Sequence, residues 1–361
     1  MRVSQAAMNT AMPLKFLLLL VCLTGLSGCQ THNAYYDSSK SHHSPEGFHN
    51  NYPGREPDMG DFFGWQWDRV WRDKPEHRAD QVPWQAVDPQ QLQNTNDLSA
   101  TWLGHATVLL NSAGVRVLTD PIFSERASPV SWLGPKRLTA LPVDPATLPV
   151  VDAVVISHNH YDHLDLPSLR QLNAQAGGPP LFIVPLGNAA LLNAQGITNT
   201  KELDWWDSVT VKDGLRITLV PTQHWSKRQL LGDRNEALWG GYVLQHRGRQ
   251  AFFAGDTGYS KDFADIHARF GAMDFAMIPI GAYAPRDFMQ RQHIDPAEAV
   301  RIHQDVQSGL SLGIHWGTFI LTDEALQQPP LDLAIALQKA GVATAQFPRW
   351  AIGETRRIPL K

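Results

Sequence analysis

From about residue 98 the chain alternates short apolar runs with polar punctuation. ATWLGHATVLLNSAG, VRVLTDP, VVDAVVISHNH, PLFIVPLG, LRITLVPTQHW, GYVLQH, QAFFAGDTG, FAMIPIGAY and LSLGIHWGT are rich in Val, Ile, Leu and Phe and are bounded by Gly, Pro, Asn or Asp. Runs of this length and composition predict buried strands. Helical patterns lie between them. In LDLPSLRQLNAQ, Asp165 opens the pattern and Pro167 falls in its first turn, which predicts a helix start there. GNAALLNAQG, PAEAVRIHQDV and PLDLAIALQKAG are further helix candidates, the last stopping at Gly341. Strands alternating with helices predict a layered α/β domain. No internal repeat at a fixed period interrupts the series.

The first 60 residues read differently. FLLLLVCLTGL, residues 16–26, is an apolar run preceded by Arg2 and Lys15. It is too short for a membrane-spanning helix, which needs ~20 residues, and it has the charged, apolar and small-residue order of a secretory signal peptide. Leu26-Ser27-Gly28-Cys29 resembles a bacterial lipobox, which implies cleavage before Cys29 and lipidation of its thiol. Gln30, in place of Asp, implies the outer membrane. Cys22 would leave with the signal, so the mature chain would have no free thiol and no intrachain disulfide. Residues 30–60 are polar, with little hydrophobic periodicity, and are expected to form a flexible tether. The aromatic-rich DFFGWQWDRVW, residues 61–71, is expected to pack on the domain, with membrane contact kept open for Trp65, Trp67 and Trp71.

Composition narrows the partners. The 361 residues are 43% hydrophobic and carry a net charge of -4 with no basic block. Nucleic acid is therefore not expected, because phosphate binding leaves a basic stripe.

SHNHYDHLD, residues 157–165, holds three His and two Asp in nine positions. The VVDAVVIS strand ends just before it. In an extended segment His158 and His160 point the same way and can share an ion. Asp162 and His163 lie beyond a turn and can address a second position. Imidazole with carboxylate suits zinc or another first-row divalent metal. Three other apolar runs end in ligand-type residues: His224, Asp256 and His315. Seven ligands suffice for two ions with open positions, a hydrolase arrangement.

HxHxDH followed by His, Asp and His after successive strands resembles the metallo-β-lactamase superfamily. GHATVLL, LTDPIFSERASP, GPKR, SHNHYDHLD, ELDWWDSV, QHWSKR, AGDTGY, IPIGAY, QHIDPAEAVRIHQDV and IHWGTF, in that order, resemble the N-acylphosphatidylethanolamine-hydrolysing phospholipase D family. The resemblance runs from about residue 61 to the end. It implies a four-layer αβ/βα sandwich with a dinuclear zinc site along one edge. One Zn2+ would be held by His158, His160 and His224, and the second by Asp162, His163 and His315, with Asp256 bridging both. Asp120 matches an aspartate that orients ligands. His293 and Tyr283 match positions near the family's pocket, which implies phosphate or leaving-group contacts. The domain order is then a lipoprotein signal peptide over 1–28, a tether over 29–60 and a hydrolase domain over 61–361.

The implied reaction cleaves the distal phosphodiester bond of a phospholipid, giving phosphatidic acid and an N-acylethanolamine. Asp162 or Asp120 would hold the attacking water, and His293 is a candidate acid for the departing alkoxide. The expected partners are a phospholipid and a membrane surface, with a homodimer kept open as the assembly. The expected location is the cell envelope, lipid-anchored at the outer membrane and facing the periplasm. A lactonase or other hydrolase using the same ligands stays open, because a metal-activated water serves both. A nuclease and a non-catalytic surface lipoprotein are the more distant alternatives.

Overall fold

In the computed structural model, the described residues are 33–52, 60, 64, 65, 67, 71, 75–93, 97–229 and 232–359. The expected signal peptide and Cys29 lie outside them.

Residues 33–52 correct the expectation of a free tether. They form a strap on the domain, with a small hairpin of β1 (His43–Ser44) and β2 (Gly47–Phe48). Asn33, His42, His43, Phe48 and Asn50 are buried. The Asp204 carboxylate meets His42 Nε2 at 2.7 Å and His43 Nε2 at 3.0 Å, and it accepts a hydrogen bond from Lys40 Nζ. Tyr35 OH donates to Glu202 at 2.8 Å. A polar segment can be buried without apolar periodicity when another part of the chain satisfies its donors and acceptors, and that partner is not visible locally.

The strands divide between two sheets, and each predicted apolar run lies in one or the other. The first contains β3 (Ser99–Gly104), β4 (Thr107–Ser112), β5 (Val115–Thr119), β6 (Ala153–Val155), β7 (Leu181–Pro185), β8 (Thr200–Leu203) and β15 (Thr355–Arg357), in the spatial order β15-β3-β4-β5-β6-β7-β8. The second contains β9 (Ser208–Thr210), β10 (Arg216–Val220), β11 (Gly241–His246), β12 (Arg249–Phe253), β13 (Phe275–Pro279) and β14 (Leu310–Ile314), in the order β14-β13-β12-β11-β10-β9. Each sheet joins an antiparallel part to a parallel part: β5, β6, β7 and β8 are parallel in the first, as are β12, β13 and β14 in the second.

Side chains alternate across a strand, and that alternation builds the layers. Val108 and Leu110 of β4, Ala153 and Val155 of β6, and Ile183 of β7 join the core shared with the second sheet. Leu109, Val154, Phe182 and Val184 face the other way. They pack with Leu169 and Leu172 of α1 (Leu166–Asn173) and Leu192 of α2 (Ala189–Asn193). On the second sheet's outer side lie α3 (Asp262–Phe270), α4 (Pro296–Asp305) and α5 (Pro329–Ala340), with Phe263, Ile266, Val300, Ile302, Leu333 and Leu337 buried. The result is the expected four-layer αβ/βα sandwich.

Local signals fix several boundaries. Asp165 caps α1 by accepting from Ser168 N at 3.3 Å, with Pro167 in the first turn. Asp295 and Glu298 form a reciprocal capping box at the start of α4. Gly341, with φ at 66°, ends α5 in the left-handed conformation. Four elements carry no comparable signal, the short strands β8 and β9 among them. α3 has a narrow apolar stripe among charged residues, and β15 is a short polar strand that exists by pairing with β3. Among the described residues, no helix is long and apolar enough to cross a membrane.

Candidate metal centre

Six chain segments bring titratable residues to one edge of the sandwich. His105 follows β3, Asp120 follows β5 and the 158–163 turn follows β6. His224, Asp256 and His315 follow β10, β12 and β14. Chemistry collects at strand ends because the chain leaves the ladder there and its side chains are no longer consumed by the sheet. Three of these residues have positive φ: His105 at 50°, Asp120 at 33° and His315 at 64°. Such conformations cost on the order of 1–3 kcal/mol for non-glycine residues and persist where the surroundings over-determine them. Gly255 makes the close approach possible. Its φ is +61°, and a Cβ there would lie 2.5 Å from the Cβ of Ser157.

Two groups of ligands result. His158, His160 and His224 form the first, with ring centroids 4.5–5.2 Å apart. His224 Nε2 faces His160 Nδ1 at 3.3 Å. Asp162, His163 and His315 form the second, joined by His105. Here His163 Nε2 faces His315 Nε2 at 3.1 Å, and Asp162 Oδ2 lies 3.3 Å from each. Asp256 stands between the groups. Its carboxylate is 3.2 Å from His163, 3.1 Å from His315 and 4.0 Å from His224.

The ring protons can be assigned from the outward contacts. His163 Nδ1 donates to Asp120 Oδ2 at 2.6 Å, and His224 Nδ1 donates to the Gln292 carbonyl at 2.9 Å. Ser157 Oγ donates to Asp120 at 2.5 Å and so accepts from His158 Nδ1 at 2.9 Å. Each outward nitrogen therefore holds a ring proton, which leaves Nε2 of His158, His163 and His224 as the atom that would face an ion. His158 Nε2 is buried with no hydrogen-bond partner. Ring nitrogens at such distances suit a shared cation, and ligating histidines bonded outward in this way are the usual supporting arrangement. The donor set fits two divalent ions.

The charges agree. Burial pushes Asp162 and Asp256 up, but the neighbouring imidazoles, His163 foremost, outweigh it and hold both well below the usual carboxylate range. Burial pulls His163 and His315 down, yet Asp256 and Asp162 hold His163 well above its ordinary value and His315 at about 9. Burial dominates at His158 and His224, pushed well down, and at His160, at about 4. Buried carboxylates need positive charge beside them. Protons on His163 and His315 supply it when no ion is bound, and ions would displace those protons.

Three expected roles change. Asp120 is fully buried behind His163 and bonded to Ser157 N at 2.7 Å, so it orients ligands and does not hold the attacking water. Tyr283 does not present its hydroxyl to a phosphate, because that hydroxyl donates to Asp332. His293 does reach the site. It stacks on His315 with centroids 5.7 Å apart, and its Nδ1 is 3.7 Å from Asp256. Burial pushes it down to about 4, so near neutral pH it is an uncharged imidazole, and as an acid for the alkoxide it would have only its neutral N–H to give.

His105 was not among the expected ligands. Its Nε2 meets Asp162 Oδ2 at 3.1 Å, its carbonyl accepts from His315 N at 3.0 Å, and burial pushes it down to about 3. It therefore stays neutral and donates to Asp162. A signal was available, since His105 closes the apolar run ATWLG as His224 closes its own.

The Beta-lactamase superfamily domain matches residues 115–316. An N-acyl-phosphatidylethanolamine-hydrolyzing phospholipase D of Caenorhabditis elegans is 42% identical over 263 residues, covering 70% of this chain and 72% of the worm protein. The chain belongs to this phospholipase D-like family of the metallo-β-lactamase superfamily. An uncharacterised Mycobacterium tuberculosis protein is 43% identical over 253 residues, covering 69% of this chain and 66% of that protein. The chain thus spans just under two thirds of the length of its mycobacterial relatives. An isothiocyanate hydrolase from Delia radicum gut bacteria shares the fold with a TM-score of 0.55 at 25% identity, covering 72% of this chain and 98% of that one. A UPF0173 metal-dependent hydrolase of Methanopyrus kandleri is 28% identical over 245 residues, covering 67% of this chain and 92% of that protein.

Proposed function

We propose that the chain is a dinuclear zinc hydrolase of phospholipid diesters, cutting N-acylphosphatidylethanolamine or a related lipid in the manner of a phospholipase D. The observation that carries this reading is the place of Asp256 between two ligand groups whose ring nitrogens converge. When bound, divalent ions would lower the pKa of a water and polarise the phosphoryl oxygens. The chain's own residues do the rest. Asp120, Ser157 and Gln292 set the tautomers of the ligating rings. His105 holds Asp162, which can accept a hydrogen bond from the attacking water. His293 lies beside Asp256, where its neutral ring can contact the phosphate or the leaving group.

Exposed aromatics on two segments with contacts toward the site support a lipid substrate. Trp67, Trp71 and Trp132 are 66%, 72% and 74% exposed, and Leu133 is exposed beside Trp132. Nearby Trp65 stacks on Phe288 at 5.2 Å and donates to Asp323 at 2.8 Å, which brings that segment beside the region carrying His293. The loop carrying Trp132 is tied to the turn after His315 by Leu138 N donating to Thr318 O at 2.9 Å and by Thr139 Oγ1 donating to Gly317 O at 3.0 Å. Amphipathic rings of this kind favour a membrane interface. With lipidation at Cys29, the enzyme would work at the bacterial outer membrane beside its substrate.

The test is metal content measured with turnover on phospholipid diesters of several head groups and on lactones. Release of phosphatidic acid, lost together with about one metal equivalent in Asp256→Asn, supports the reading. Activity on lactones alone replaces the substrate class, and two ions bound without any hydrolysis would point to a structural site.

A further inference from the structure

We infer that Asn50, carried on the strap at residues 33–52, is the positioning residue for His224 of the metal centre. This rests on the metal-hydrolase reading above.

The argument starts from the backbone. Beyond Val220 the chain leaves β10, so the main-chain groups of His224 have no ladder partner in the sheet. Asn50 supplies both. Its Nδ2 donates to the His224 carbonyl at 2.9 Å, and its Oδ1 accepts from the His224 N–H at 3.1 Å. One side-chain amide thus replaces a rung of an antiparallel ladder. The pair also fixes which end of the amide is oxygen, since only that orientation satisfies both groups. Trp239 Nε1 adds a third contact, donating to Asn50 Oδ1 at 3.2 Å. Asn50 is buried, so water does not compete for these bonds.

His224 is consequently held at two points. Asn50 holds its backbone and the Gln292 carbonyl holds its ring. The preceding residue is tied to the Asp256 loop, with Gly258 N donating to Gln223 O at 2.7 Å. Of these holds, the one on the His224 backbone comes from the strap.

The strap is well anchored. Asp204 gathers Lys40, His42 and His43 on one side. On the other, Phe48 N donates to Asn235 O at 2.8 Å, Asn51 donates to Asp262 at 2.9 Å and Tyr52 OH donates to Asp265 at 2.5 Å. The His42, His43 and Asp204 group is an anchor and not a further ion site. Lys40 already places its ammonium on the Asp204 carboxylate, which also accepts from Trp205 N at 2.7 Å. These contacts set where Asn50 sits, and Asn50 sets His224.

The test is cobalt(II) titration of the EDTA-stripped full chain, followed by visible absorption. Wild type is expected to bind two ions. Asn50→Ala is expected to weaken one of the two steps by about 10–100-fold, the usual cost of losing an outer partner of a ligand, and to shift the absorption band of that step. Asn50→Asp keeps the acceptor for His224 N–H and is expected to weaken the same step less; it decides the question alone if the alanine variant does not fold. Tyr35→Phe removes a strap bond that goes to Glu202 and not to His224, and is expected to leave both steps unchanged. Wild-type affinities and an unmoved band in the folded Asn50 variants would overturn the inference. So would an equal loss in Tyr35→Phe, which would mark a general effect of strap stability. A wild-type chain that takes up no cobalt would instead overturn the metal centre itself.

Discussion

His163 has three carboxylates around it, with Asp120 behind its Nδ1 and Asp162 and Asp256 before its Nε2. That arrangement makes the metal-free site a proton store. His315 is held at about 9 against an ordinary 6.5, and His163 is raised well above its ordinary value by Asp256, Asp162 and Asp120. A raised folded-state pKa gives stability that is complete below the unfolded value and is lost as pH rises through the folded one. The EDTA-treated protein is therefore expected to melt progressively earlier as pH rises from about 6.5 to 9, while zinc-loaded protein keeps its melting temperature better over that range. Melting curves with and without zinc across that window check this. Zinc affinity should rise over the same interval as competing protons leave. His105 offers a second prediction. His105→Ala removes the donor to Asp162 while leaving the histidines of both ligand groups in place. It should cost about 10–100-fold in metal affinity or turnover, measured by zinc competition and by kcat with the fold intact.

At the scale of elements, the site depends on where strands stop and helices start. The capping box of Asp295 and Glu298 begins α4 two residues after His293. Asp295→Ala should lower stability by about 1 kcal/mol, the usual cost of an acidic or hydroxyl cap. It should appear as a lower urea midpoint with an unchanged slope. The strands and most helices were legible because burial leaves periodic traces: apolar runs for strands, Asp165 with Pro167 for α1, and Gly341 for the end of α5. The strap was not legible. Its burial is achieved by Asn33, His42, His43 and Asn50, polar residues whose partners lie more than 150 positions away in several cases, as with Asn50 and His224. α3, β8, β9 and β15 were missed for related reasons, since α3 mixes its apolar positions with charged ones and the three strands are short and largely polar, made by pairing with a neighbour.

At the scale of the molecule, one edge carries the ligands, and the loop that bears the exposed Trp132 is tied through Leu138 and Thr139 to the turn after His315. If this loop meets a bilayer, Trp132→Ser with Leu133→Ser should weaken binding to phosphatidylethanolamine vesicles and raise KM for vesicle substrate. Turnover of a short-chain soluble diester should stay unchanged. Sedimentation with vesicles and paired kinetics separate the two effects.

The order of motifs from GHATVLL to IHWGTF determined the family and the seven expected ligands, because metal chemistry demands particular side chains at strand ends and those ends are written as apolar runs. Tertiary structure alone decided the rest. It gave Asp120 the ring nitrogen of His163 as its partner, tied Tyr283 to Asp332, and brought in His105 and Asn50. These are contacts between distant segments, with donor and acceptor matched only once the two sheets have packed, so no local period in the chain records them.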